Sequence, residues 1–518
     1  MSISNIYIES LHKFASLTPD KTAFAEYGGV SLDYKTLSSL TMKLAGAILG
    51  AVPEDPSDRP VAILVDRGVL PVPAMLGVSA SGHWYTAVDA ELPADRLKFM
   101  LSLCAPSAVV NASAMTDEDA AMICQGSAEP APVFISLEAW KNSSGIPASM
   151  LPERDDSLPM FGIFTSGSTG TPKLVVKSRR AMASFTEVYN KTFELTPDDV
   201  FGNQIPYFFD ASTKDIFSTV TLGASCIAIP QKAFAFPVNL VGILNECRVT
   251  TICWVPSALS AAAKFNVFAV SKPEYLKKVL FVGEKMPVKY LNIWRDALPG
   301  VTFVNLYGST EVAGNSCYYT VDREFGPADI LPIGRPFDGT RVFIIDPATG
   351  LPAPEGEICV AGPGLADGYY KAPEKTASVF REVTLPDYSG RLYFSGDYGR
   401  IDENGMLVCV SRRDSQIKHM GHRIELGEIE AAALSCEGVG EAVCLYDSEN
   451  ERIVLFYSAA EDISRGMRRE MSEKLPKYML PHSFLYRPEL PHNRNGKLDR
   501  AGIAAELRAL IAAGGRLK

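Results

Sequence analysis

Residues 161–177, FGIFTSGSTGTPKLVVK, form the run whose residue types most directly suggest chemistry. Small hydroxyl residues and glycines at Thr165, Ser166, Gly167, Ser168, Thr169 and Gly170 allow backbone N–H groups to wrap phosphate oxygens, and Lys173 adds a positive charge suited to polyphosphate. The spacing is not G-x-x-x-x-G-K-[ST], so the run is not a Walker A loop. A plain Gly/Ser linker shares this composition. Further on, YGSTE (307–311) sets a Tyr ring, flat enough to stack on a base, beside Glu311, an oxygen ligand suited to Mg²⁺ shared with phosphates. Asp397 in YFSGD reads as a turn residue able to accept a pair of ribose hydroxyls, and Lys497 in HNRNGKLDR reads as a lysine on a turn. Taken singly, these are also what a packed aromatic, a turn-capping Asp and a surface Lys look like.

The elements that must position these residues alternate. PVAILVD (60–66), HWYTAVD (83–89) and SAVVNA (107–112) read as strands separated by helical stretches at 67–81 and 93–104, and residues 1–50 read as helical pieces around a short turn, with helix spacing over 33–50. The rhythm returns at CIAIP (226–230), TTICWVP (250–256), KKVLFVG (277–283) and TFVNLYG (302–308), which predicts an α/β layered domain with parallel strands. After about residue 325 short strands between Gly/Pro turns predict a smaller β subdomain. From about 415 a compact tail is expected, with a helix at LGEIEAAALS, strands at AVCLYD and RIVLFYSA, and a helix near 463–474. The expected division is therefore 1–413 and 414–518, and 140–159 reads as a surface loop.

Composition excludes more than it proposes. The 518 residues are 47% hydrophobic and 21% charged, which is globular and not disordered. A net charge of −10 argues against a nucleic-acid partner. The ten Cys form no C-x-x-C pair, and with six His no set has zinc spacing, so reduced, buried thiols are expected. Neither a signal peptide nor an 18-residue apolar run is present, which leads to the expectation of a cytoplasmic protein without membrane insertion.

TSGSTGTPK resembles the phosphate-loop signature of the adenylate-forming superfamily, which includes acyl-CoA synthetases, luciferases and the amino-acid-adenylating domains of nonribosomal peptide synthesis. GVSASGHWYTAVDAELPADR (77–96), YGSTE, GEICVAGPGLADGYYK (356–371), YFSGD (393–397), SRRDSQIKHMGHRIELGEIE (411–430) and LPHNRNGKLDR (490–500) match the same family in order, over roughly residues 75–500. The resemblance implies a large N-terminal α/β domain with a β subdomain and a small mobile α+β C-terminal domain. It implies ATP and Mg²⁺ as cofactors. By it, the 165–170 loop, Lys173, Gly308 and Ser309 belong to the ATP/AMP site. Asn305 and Tyr307 hold adenine, Thr310 contacts phosphate and Glu311 binds Mg²⁺. Asp397 and Arg412 hold the ribose, and Asp414 is the hinge. Lys497 bridges the substrate carboxylate and the α-phosphate as pyrophosphate leaves.

The same resemblance implies a substrate wall of Asp210, Ala211, Lys214, Cys253, Leu280, Val282, Leu306, Gly314 and Asn315. In amino-acid-adenylating members an Asp after a Phe binds the substrate ammonium, and Asp210 follows Phe209. A buried carboxylate is costly without a cation, and the ammonium would supply one. The alternative is a helix N-cap Asp. Lys214 has two readings: it meets an acidic side chain of the substrate, or it points away or pairs with Asp215, which leaves a small neutral amino acid as the alternative substrate. Stand-alone D-alanine–carrier protein ligases are similar too, but typically have FDLS and a pocket Cys where this chain has FDAS and Val282. Other departures are Leu174 and Val175 in place of the usual Gly-Val, Ala87 for a Pro, and Arg179 where His is frequent. No G-x-D-S carrier segment or H-H-x-x-x-D-G motif is found, so the expected partner is a separate carrier protein bearing phosphopantetheine. Gly421 would admit the pantetheine arm. The competing expectations are an acyl-CoA synthetase on the same fold and a catalytically silent nucleotide-binding protein.

Overall fold

The computed structural model describes residues 5–52, 59–153, 155–166, 171–326, 329–412, 416–492 and 498–512. The chain divides into two compact units. One comprises residues 1–91, 98–164 and 174–413; the other comprises residues 92–97, 165–173 and 414–518.

Among the described residues, the larger unit contains two mainly parallel sheets and one antiparallel sheet. The first parallel sheet runs Cys317–Thr320, Thr302–Tyr307, Lys278–Val282, Thr251–Trp254, Val200–Asn203, Ser225–Ala228, Thr22–Glu26, with short strands at both edges. From Thr302–Tyr307 to Thr22–Glu26 every pairing is parallel. The second is ordered Gly368–Tyr369, Lys173–Ser178, Pro159–Thr165, Tyr85–Asp89, Val61–Val65, Ala108–Ala112, Val133–Ile135. Strands such as Val61–Val65 are apolar at every position because helices cover both faces. The expected β subdomain is an antiparallel sheet built on Tyr388–Ile401, which pairs with Glu355–Ala361, Phe380–Leu385 and Leu407–Arg412.

Strand alternation sorts the first sheet into two cores. Cys253 pairs with Leu280, and Val282 with Leu306, so these side chains share one face. That face joins the cluster holding Phe185, Tyr189 and Phe217. Ile252, Trp254, Val279, Phe281 and Phe303 alternate to the opposite face and a separate cluster. Two helices cover the first face. Arg179–Thr192 is started by the Ser178 hydroxyl, which accepts from the Ala181 amide at 3.2 Å, and it buries Met182, Phe185 and Tyr189 at helix spacing. Thr213–Leu222 stops at Gly223, whose φ of +72° and 2.4 Å approach of a Cβ to Phe14 leave room only for glycine.

The smaller unit centres on strands Glu441–Asp447, Arg452–Ser458 and Ser483–Arg487. Ile453, Leu455 and Tyr457 face helices Leu426–Leu434 and Ser464–Lys474, while Val454 and Phe456 face helix Arg500–Ala512. Neither Ser483–Arg487 nor Arg500–Ala512 is among the elements predicted from the sequence. The strands Thr22–Glu26 and Ser31–Asp33 also lie in a stretch expected to be helical. The 140–159 loop carries the end of a helix, Leu137–Asn142, and a 3₁₀ turn, Ala148–Met150. No helix among the described residues is long and apolar enough to cross a membrane.

Candidate active site

Two groups of polar side chains lie in the larger unit, one at the strand Thr302–Tyr307 and one at Asp210. At its C-terminal end Tyr307 is buried and donates its hydroxyl to Asp397 Oδ2 at 2.6 Å. Burial and the adjacent carboxylate hold the phenol's pKa well above its usual range. Asn305, also buried, donates from Nδ2 to the Pro332 carbonyl at 2.8 Å. Asp397 does not sit on a turn as the SGD composition suggests. It lies inside the strand Tyr388–Ile401, directly after Gly396 at φ +75°. Two side chains satisfy the amides there: Glu357 Oε1 accepts from Gly396 N at 2.9 Å and Ser395 Oγ from Asp397 N at 3.1 Å. The strand can therefore kink without ending. Arg412 is the residue opposite Asp397 in the antiparallel pairing; its side chain lies outside the described set.

Past Tyr307 the chain runs through half-buried Gly308, Ser309 and Thr310 to Glu311, which is 1% exposed. Glu311 Oε1 accepts from the Tyr369 hydroxyl at 2.8 Å. A Cβ at Gly308 would come 2.8 Å from the Asn315 backbone, so the turn closes on itself.

The second group is built on the segment Asp210–Ser212 and the helix that follows. Asp210 is buried, but it caps no helix. Its Oδ1 is paired with Lys177 Nζ, a lysine wholly enclosed in the strand Lys173–Ser178. The expectation that Asp210 is buried without a cation of its own is thus corrected: the protein supplies one. Burial pushes the Asp210 pKa up and the Lys177 pKa down, and the attraction between them opposes both shifts. Lys177 Nζ also lies 3.4 Å from the Val312 carbonyl, next in sequence to Glu311, and Glu311 adds to the field at both residues. One lysine therefore connects the Asp210 end to the Glu311 end. Asp210 Oδ2 accepts no hydrogen bond among the described residues, and its side chain keeps 10% exposure.

Lys214, four residues on, is 2% exposed and its Nζ has no hydrogen-bond partner among the described residues. It is not in solvent, and among the described residues it forms no ion pair with Asp215, although the two charges act on each other. Asp215 is 1% exposed, and both of its carboxylate oxygens lack hydrogen-bond partners among the described residues; burial pushes its pKa up to about 7. Cys253, Leu280, Val282 and Leu306 line the shared sheet face described above, and half-buried Ala211 packs on the same cluster. Gly314, at φ +61°, is pressed against the Phe185 ring, where a Cβ would come within 2.0 Å. Asn315 is buried, and its Oδ1 has no hydrogen-bond partner among the described residues.

Among the remaining candidates, Thr165 is buried at the end of its strand, and Ser166 and Lys173 are half-buried. Gly421, at φ +80°, forms with Met420 the two-residue turn between strands Gln416–His419 and His422–Glu425, a conformation that favours glycine. Gly167, Ser168, Thr169, Gly170, Asp414 and Lys497 lie outside the described residues.

Sequence reading missed Lys177, Tyr369, Ser395 and Glu357. Lys177 had a signal: a lysine directly after the run Leu-Val-Val, within a strand that the sheet must bury. Arg179, noted only as a departure, proves structural. Its guanidinium is buried and donates to the Ser79 hydroxyl at 3.0 Å and to the His83 carbonyl at 3.0 Å.

Comparison with known proteins shows the family of the chain. The AMP-binding enzyme model matches residues 11–370, and the AMP-binding enzyme C-terminal domain model matches residues 428–497. A D-alanine–D-alanyl carrier protein ligase of Bacillus cereus (strain G9842) is 30% identical over 517 residues, covering 97% of this chain and 99% of the relative. Tyrocidine synthase 3 of Brevibacillus parabrevis is 30% identical over 496 residues, 94% of this chain but 7% of that much longer protein. In fold, the chain is similar to the amide bond synthetase McbA from Marinactinospora thermotolerans, with a TM-score of 0.83, 21% identity, and coverage of 98% of this chain and 99% of that one. The chain belongs to the AMP-binding enzyme family.

Proposed function

We propose that this chain activates an amino acid with ATP and passes it to the phosphopantetheine thiol of a separate carrier protein. The observation that carries the reading is Asp210. It is a buried carboxylate, held by Lys177 near Glu311, with its second oxygen uncommitted and able to receive an ammonium. Full-length similarity to relatives named as carrier protein ligases supports the same reading.

In the first step a carboxylate oxygen of the amino acid attacks the α-phosphorus of ATP. The bond from that phosphorus to the bridging oxygen breaks, and pyrophosphate leaves with the electron pair. In the second step the thiol sulfur attacks the acyl carbon, the acyl–phosphate bond breaks, AMP leaves and the thiol proton passes to solvent. Residues 1–413 act as the nucleotide and amino-acid core, and residues 414–518 as a mobile lid hinged at Asp414. The Thr165–Gly170 loop and Lys173 cradle phosphates, with Gly308, Ser309 and Thr310 beside them. Tyr307 and Asn305 hold adenine, and Asp397 with Arg412 holds the ribose. The Tyr307 hydroxyl already bound to Asp397 keeps that carboxylate oriented. Lys497 neutralises charge at the α-phosphate as it becomes five-coordinate. Gly421 lets the pantetheine arm approach closely.

Glu311 fits a magnesium ion. It is a buried carboxylate with one oxygen fixed by Tyr369, and a hard cation takes oxygen ligands. Among the described residues no group of three or more His, Cys, Asp or Glu forms a cage, and an ion bound through one carboxylate and substrate phosphates requires none. When bound, the ion would neutralise phosphate charge. The setting for this chemistry is the cytoplasm, where ATP is supplied.

An acyl-CoA-forming ligase is the second reading. Asp210 weighs against it, because a plain acid brings no ammonium. The test is amino-acid-dependent exchange of pyrophosphate into ATP, followed by a choice of acceptors. Exchange with an amino acid, and acyl transfer to a holo carrier protein in preference to free coenzyme A, is the expected result. Exchange with fatty or aryl acids alone would overturn it.

A further inference from the structure

The helix Thr213–Leu222 begins with two buried charged residues, an unusual way to start a helix packed into a core. Lys214 Nζ is enclosed without a hydrogen-bond acceptor among the described residues. It sits in the first turn, where the helix dipole is positive and a cation is disfavoured. Taking an ammonium out of water without a partner costs several kcal/mol. Such a group persists where something arrives to pair with it.

The neighbours identify what that something is. Asp210 lies within electrostatic reach of Lys214 but is already in contact with Lys177. Asp215 is adjacent in sequence, yet neither of its oxygens reaches a donor among the described residues. Burial raises its pKa to about 7, so around neutrality it only partly offsets a lysine. The Cys253 thiol, also within reach, has its pKa pushed up to about 12 by burial and stays neutral. Lys177 brings a second positive charge from the strand. Lys177 already faces Asp210 and Glu311, whereas Lys214 has beside it in sequence only a partly protonated Asp215, so Lys214 is the cation of this end that the surrounding carboxylates answer least. A ligand that placed only an ammonium and an apolar side chain here would leave Lys214 unpaired. A methyl side chain in particular would bring it nothing.

We infer that the acid activated here is a dicarboxylic amino acid, its ammonium set against Asp210 and its side-chain carboxylate set against Lys214. This rests on the proposed amino-acid activation and names its substrate class. Lys177 is then a positioning residue. It favours the ionised form of Asp210 against the effect of burial and holds it so that one oxygen remains for the substrate. Cys253, Leu280 and Val282 bound the side chain but offer it no charge.

The experiment is pyrophosphate exchange into ATP by the full chain, with L- and D-aspartate, L- and D-glutamate, their amides, and neutral amino acids including both alanines. An acidic amino acid is expected to exceed its own amide by about 100-fold in kcat/KM, because the amide removes the charge that Lys214 requires. Lys214→Met should lower kcat/KM for that acid by about 100-fold and narrow its advantage over the amide, with the effect mainly in KM. A thermal melt checks that the variant is folded. If it is not, the discrimination between acid and amide by the unaltered chain decides alone. Activation of alanine or another neutral amino acid in preference to the acidic ones would overturn the inference and leave amino-acid activation standing. Exchange with no amino acid at all would remove both.

Discussion

The two ends of the site differ in how their polar groups are satisfied. At the nucleotide end, Tyr307 and Asp397 hold each other, and Glu357 and Ser395 hold the backbone beside them. At the acid end, Lys177 and Asp210 are paired, but Lys214 and Asp215 are buried without hydrogen-bond partners among the described residues. Every polar group named at the nucleotide end has a partner inside the protein and can exchange it for a ligand of fixed chemistry. The acid end stores an imbalance that one class of ligand relieves. The first arrangement suits a component common to all cycles, and the second suits selection.

The contrast can be broken most severely at Lys177. Lys177→Met leaves Asp210 buried without its ion-pair partner, and unfolding experiments should show a loss of about 3–5 kcal/mol. Adding Asp210→Asn should recover much of it. An unchanged midpoint in the single variant would mean that the pair is not the anchor of the acid end. Asp210→Ala keeps Lys177 but removes the receiver of the ammonium. Its kcat/KM for the amino acid should fall by about 100-fold while the KM for ATP stays within a few-fold. Equal effects on both substrates would erase the division between the two ends. Asp397→Asn keeps an acceptor oxygen for Tyr307 but removes the charge. It should raise the KM for ATP about tenfold without altering the ranking of amino acids. A changed ranking would show the ends to be one unit.

The smallest expected effect concerns pH. Asp215 is raised to about 7 in the folded chain against an ordinary value of 3.8. The folded state therefore keeps a proton that the unfolded state has released, and stability falls as pH rises between those values. Between pH 6 and pH 8 this contributes a loss of about 1 kcal/mol. Asp215→Asn should flatten that slope in thermal melts; an equally steep slope would assign the titration to another group.

What could be read in the sequence was set by how local the signal is. Parallel strands such as Val61–Val65 and Lys278–Val282 show as apolar runs, and ordered motifs pointed to Tyr307, Glu311 and Asp397 as candidates without knowledge of the sheets. Lys177 was not read, because its role depends on a partner 33 residues away and on which face of a strand it occupies. The SGD run looked like a turn because glycine and aspartate favour turns. Only the side chains of Glu357 and Ser395, remote or adjacent, make a kinked strand possible there. The strand Ser483–Arg487 is brief and sits between prolines at 481 and 488, and it is held by pairing with Arg452–Ser458 rather than by its own pattern. The readings of Lys214 stayed open because sequence cannot tell an enclosed ammonium from a solvated one.

The central claim is that this chain joins an amino acid to AMP. The direct measurement is mass spectrometry of the small molecules formed when the full chain is incubated with ATP, Mg²⁺, inorganic pyrophosphatase and the amino-acid panel, without any thiol acceptor. The expected result is an aminoacyl adenylate, retained by the protein in an amount approaching one per chain and formed with release of phosphate. Recovery of ATP and free amino acids alone, under conditions in which ATP is bound, would contradict it.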